Sequence, residues 1–256
     1  MVRRLSVNPD PRRWLACRRR RPDAAFRLIC FPHSGGSSGE YVRWGDFTPD
    51  MEVWAVQLPG RGARLDEPNL TRMDALVDAL LAEVTFAPPF ALFGHSKGAL
   101  VAYEVARGLR DRGRVGPSLL VASAYRPPPR GRRLQRVSQL SDEDLLAAVE
   151  QTYGTLPAEI RAEPELVALM VPPLRADFEV LETYTHVAGE PLDCPILVAA
   201  GADDEVKPAE LDEWRLATRA AFELATFPGG HFYLRDQRDA LLQRIADALR
   251  RHAGAR

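Results

Sequence analysis

The chain has 256 residues, 46% of them hydrophobic, enough for one full α/β core. Its formal net charge of −1 at pH 7 removes any general basicity as an argument for nucleic-acid binding. The three cysteines, Cys17, Cys30 and Cys194, form neither a disulfide framework nor a metal-ligand spacing, and no apolar run reaches membrane-spanning length. The N-terminus carries no signal-like hydrophobic stretch, so the expectation is a soluble cytoplasmic protein with no nucleic-acid or membrane partner.

Residues 1–23 are rich in Arg and Pro and are predicted to form a solvated, partly ordered basic arm, ahead of a single α/β domain over 24–256. A strand is predicted over 25–31, followed by the loop Pro32-His33-Ser34-Gly35-Gly36. A second strand over 51–58 ends in Pro59-Gly60-Arg61-Gly62, and residues 70–84 have helical periodicity. Arg61 and Arg64 are expected to pair with carboxylates rather than hold a phosphate. The apolar run 89–93 then leads into Gly94-His95-Ser96-Lys97-Gly98, and a helical pattern follows from Ala99. G-x-S-x-G between strand and helix is the nucleophile elbow. Its glycines permit the sharp turn that lifts the serine hydroxyl above the sheet and aims the next N–H at the reacting carbonyl oxygen. Ser96 is therefore the candidate nucleophile, and the backbone N–H of Lys97 one oxyanion donor. The other donor is expected from the loop after the first strand, at the N–H of Ser34, while His33 ties that loop down.

A strand at 118–123 continues the alternation, which then breaks between about 127 and 191. Pro127-Pro128-Pro129 opens this segment, and Ser141-Asp142-Glu143-Asp144 caps an amphipathic run over 145–153. Two further helical stretches are predicted, over 164–170 and 174–185. Some 60 residues that contain helices but no strand, inserted between two core strands, read as a lid that excludes water and shapes an acyl pocket. A buried strand follows at 195–200, then Gly201-Ala202-Asp203-Asp204-Glu205-Val206. A carboxylate here would orient the catalytic histidine. Asp203, with its D-x-x-V spacing to Val206, is the favoured acid, and Asp204, spaced G-x-x-D from Gly201, is its rival. The run 222–227 and the turn Pro228-Gly229-Gly230 carry His231, the candidate base on a loop past a strand end. The order Ser96, Asp203, His231 is that of an α/β-hydrolase with a mainly parallel sheet, helices on both faces and a helical lid. No cofactor or metal is needed for such chemistry.

The chain resembles the type II thioesterases of polyketide and nonribosomal peptide biosynthesis. The matching pieces are Cys30-Phe31-Pro32-His33-Ser34-Gly35-Gly36, Gln57-Leu58-Pro59-Gly60-Arg61-Gly62, Phe93-Gly94-His95-Ser96, Arg175-Ala176-Asp177-Phe178 with Glu182-Thr183-Tyr184, and Pro228-Gly229-Gly230-His231-Phe232, together with Trp14 and Trp214. The resemblance implies a hydrolase that removes acyl groups from the phosphopantetheine arm of an acyl or peptidyl carrier protein, under a small helical lid, with the acid at Asp203. A carboxylesterase or lipase acting on oxygen esters is the alternative. Two positions depart from the family: Lys97 stands where Met is usual, and Ser34 where Ala is usual. Both leave the backbone donors in place. The Lys97 side chain is expected at the pocket entrance, meeting a phosphate or an anionic acyl group, or else simply solvated.

Overall fold

A computed structural model describes residues 13–128, 136–154 and 162–253. Seven strands form one sheet in the order β1-β3-β2-β4-β5-β6-β7. They span Leu15–Ala16 (β1), Phe26–Phe31 (β2), Met51–Val56 (β3), Phe90–His95 (β4), Leu119–Ser123 (β5), Ile196–Gly201 (β6) and Phe222–Phe227 (β7). Every pairing is parallel except that of β1 with β3. The central strands are buried on both sides, which is why their sequences read as unbroken apolar runs. In β4, Phe90 and Leu92 belong to the core that contains Leu100 and Leu109. Ala91 and Phe93 belong to the opposite core, with Tyr41, Trp44 and Ile245.

The helices among the described residues are α1 (Ser38–Val42), α2 (Met73–Glu83), α3 (Lys97–Asp111), α4 (Asp142–Tyr153), α5 (Pro164–Thr183), α6 (Pro208–Leu211) and α7 (Arg238–Ala253). Tyr41 of α1 packs in one core, whereas α3 packs in the other. The chain therefore leaves the adjacent ends of β2 and β4 toward opposite faces. Such a switch point opens a crevice beyond the carboxyl ends of the strands, and both the 32–36 loop and the elbow lie there.

Two expectations change. The basic arm, expected over 1–23, is docked from Arg13 onward, and residues 1–12 lie outside the described residues. Leu15 and Ala16 pair with Val56 and Ala55, and Trp14 is buried beneath Arg64. The Arg20 side chain and the Arg21 N–H both donate to the buried Glu52. A sheet edge and a buried carboxylate thus take up a segment whose composition suggests a solvated tail. The two helical stretches at 164–170 and 174–185 are one helix, α5, running through Pro172 and Pro173. Proline inside a helix costs roughly 3 kcal/mol through its missing N–H and ring clash. Here the burial of Val171, Leu174, Phe178 and Leu181 opposes that cost. Ser141 caps α4 as expected, its hydroxyl accepting from the Asp144 N–H.

Candidate active site

Ser96 sits between β4 and α3 with φ 53° and ψ −122°, a conformation that L-residues rarely adopt. The turn is possible because both flanking glycines lie against backbone. A Cβ on Gly94 would overlap the Gly98 carbonyl oxygen, and one on Gly98 would overlap the Phe31 carbonyl oxygen. The close approach at Gly98 also brings the elbow against the end of β2. The Ser96 N–H donates to the Ser123 carbonyl (2.8 Å), fixing the turn to β5.

His231 Nδ1 lies 3.0 Å from Asp204 Oδ2. This corrects the favoured choice of acid. Asp203 is exposed, while Asp204 is only 2% exposed. The reason is the turn after β6. The Asp203 N–H donates to the Gly229 carbonyl and the Asp204 N–H to the Gly201 carbonyl, which turns Asp204 inward beneath His231. Gly201 permits this, since a Cβ there would overlap the carbonyl oxygens of Gly229 and Gly230. The spacing to Val206 and the resemblance both point one residue too early.

Ser96, His231 and Ser34 line one cavity of about 280 Å³. Val149 and Tyr153 of α4, with Met170, Leu174 and Phe178 of α5, make its apolar wall. On α5 these residues recur every four positions, one face of a helix. The inserted helices therefore stand over the serine, as a lid does. Parts of the expected lid, residues 129–135 and 155–161, lie outside the described residues.

The other histidines of this region are held neutral. Burial pushes His33 down to about 3, assisted by the charge of Arg235. Its Nδ1 lies 3.3 Å from the Tyr41 hydroxyl, so it anchors the loop as expected. Burial likewise lowers His95, whose Nδ1 is 2.9 Å from the Ser123 hydroxyl, itself 2.8 Å from the Tyr233 hydroxyl.

Lys97 is not at the pocket entrance. Its side chain is fully buried, with Nζ 2.5 Å from Asp177 Oδ1 on α5. A helix-start side chain turned back under the neighbouring loop finds a carboxylate there, which removes any reason to reach solvent. Arg61 grips the same carboxylate, at 2.6 and 2.9 Å, and Arg64 binds Glu67, so both arginines pair structurally as expected. Sequence reasoning leaves Asp177 without a role, although it stands in one of the motifs quoted for the resemblance. A lysine beside the nucleophile, in need of a counter-charge, is the available signal. No group of three or more His, Cys, Asp or Glu suited to a metal occurs among the described residues, and no described helix is long and apolar enough to cross a membrane.

Comparison with known proteins identifies the family. The family model for the thioesterase domain matches residues 26–249. Thioesterase PikA5 of Streptomyces venezuelae is 37% identical over 248 residues, covering 95% of this chain and 88% of that protein. The medium-chain S-acyl fatty acid synthase thioesterase of Homo sapiens is 33% identical, covering 86% of this chain and 85% of its own. The structure of BorB, the type II thioesterase from the borrelidin biosynthetic cluster, superposes with a TM-score of 0.80 at 39% identity, covering 93% of this chain and 96% of BorB. The chain is a thioester hydrolase of the α/β-hydrolase fold and belongs to the thioesterase family, among the type II thioesterases of polyketide and nonribosomal peptide pathways.

Proposed function

We propose that Ser96, His231 and Asp204 hydrolyse acyl thioesters carried on the phosphopantetheine arm of an acyl or peptidyl carrier protein. The observation that carries this reading is that His231, paired with the buried Asp204, lines the same apolar, helix-roofed cavity as Ser96. With Nδ1–H donated to Asp204, Nε2 of His231 is free to take the Ser96 proton. Ser96 Oγ attacks the thioester carbon, and the oxyanion is received by the backbone N–H groups of Ser34 and Lys97. The choice of Ser34 is supported by its neighbours, since the Gly35 N–H donates to Asp177 and the Gly36 N–H to the His33 carbonyl. Lys97 opens α3, where an N–H has no acceptor within the helix and the helix dipole favours negative charge. Collapse of the intermediate breaks the C–S bond, and the thiol leaves with the proton held by His231. Water then adds to the acyl-enzyme, His231 taking its proton and returning it to Ser96 as the acid departs.

A cytoplasmic setting belongs to the same proposal and accords with three free cysteines. The test is hydrolysis of a panel of acylated carrier proteins beside matched oxygen esters. We expect kcat/KM to favour the carrier thioesters, and Ser96→Ala to lower kcat by at least about 10³-fold. A preference for the oxygen esters would select the esterase reading instead.

A further inference from the structure

Behind the oxyanion loop lies a charge cluster that the hydrolytic steps do not use. Lys97, Asp177 and Arg61 are 0%, 2% and 9% exposed. Besides its contacts with both cations, Asp177 accepts from the Gly35 N–H at 2.8 Å, and Arg61 also donates to the Gly36 carbonyl at 3.2 Å. One carboxylate on the lid helix thus holds both segments assigned as oxyanion donors, the 34–36 loop directly and the elbow through the Lys97 side chain. Two buried cations face one anion, leaving one uncompensated positive charge. Stability does not account for the lysine. The Asp177–Arg61 pair is balanced without it, and an apolar side chain of similar length would avoid desolvating a charge.

We propose that Lys97 is a positioning residue for thioester hydrolysis, its ion pair with Asp177 setting the elbow against the oxyanion loop while the excess positive charge stabilises the oxyanion. This rests on the assignment of the Ser34 and Lys97 amides as donors. A charge kept out of water acts on an anion developing nearby more strongly than the same charge in solvent. Burial pushes Lys97 down to about 8, against the pull of Asp177 and with the help of Arg61. The charged or titratable groups facing it are Asp177 from α5, Arg61 from the loop after β3 and His33 from the loop after β2, the last neutral in this range. The cluster therefore loses its excess charge as pH rises through about 8.

The test compares wild type with Lys97→Met on a small neutral N-acetylcysteamine thioester from pH 6 to 10, with thermal unfolding alongside. Expected at pH 7 is a kcat lower by about 10- to 100-fold, a KM changed by less than about threefold, and an equal or higher Tm. The wild-type kcat should also decline above about pH 8, a decline absent from the variant. A variant kcat within about twofold of wild type overturns the proposal, as does a lower kcat accompanied by a lower Tm, which marks a packing role. If that variant does not fold, Lys97→Gln takes its place in the same comparison, and a kcat within about twofold of wild type overturns the proposal. Failure of the hydrolase reading registers separately, as wild-type protein without Ser96-dependent turnover.

Discussion

Two buried aspartates support the surroundings of Ser96 and do different work. Asp204 meets His231 through Oδ2, and its other oxygen is buried without a hydrogen-bond partner. Asp177 is gripped by Arg61, Lys97 and the Gly35 N–H. In the proposed reaction, a carboxylate with one donor can respond when that donor becomes an imidazolium. A carboxylate held by two permanent cations and an amide is fixed, and fixes what it touches. Burial and residue type are alike; the partners decide the role.

The most direct challenge to this contrast is to neutralise each carboxylate in turn. Asp204→Asn should lower kcat by about 10³- to 10⁴-fold through loss of the tautomer and of imidazolium stabilisation, with little change in Tm. Steady-state kinetics and thermal unfolding on one preparation check both halves. Asp177→Asn should act first on stability, because it leaves two buried cations without an anion, at a cost of about 3–5 kcal/mol. Thermal unfolding should show a Tm lower by roughly 6–20 °C. Equal stability of the two variants would remove the distinction.

Acid titration separates the two aspartates further. Despite burial, Lys97 and Arg61 hold Asp177 down to about 2, below its ordinary value of 3.8. A depressed carboxylate contributes stability above its unfolded pKa and loses it as pH falls through the folded one. The Tm gap between wild type and Asp177→Asn should therefore stay constant from pH 7 to about 4 and narrow toward pH 2. The smallest effect belongs to Asp203→Asn. Its side chain is exposed, so kcat should stay within about twofold of wild type. A loss matching that of Asp204→Asn would restore the one-residue-earlier assignment.

Much of this is legible in the chain. The elbow is readable because Gly94 and Gly98 answer a local steric demand, and the strands because burial on both faces leaves an unbroken apolar signature. The helical insertion is readable as an interruption of alternation. Docking of Trp14 to Ala16 is not, since an edge strand of two residues has too little pattern to stand out from an arginine-rich segment. Nor is the continuity of α5, where local chemistry says break and tertiary packing overrides it.

Fold class, and the positions proposed for nucleophile and base with the loop that faces them, are readable from the chain alone, because each depends on local backbone geometry or on the order of motifs. The choice between Asp203 and Asp204, and the inward turn of Lys97, arise only on folding. Adjacent residues of a turn point in different directions, and the crossing of the Gly201 turn with the 229–230 backbone selects which carboxylate reaches His231. The counter-charge of Lys97 stands at position 177 on another helix, a separation along the sequence that only the folded chain closes.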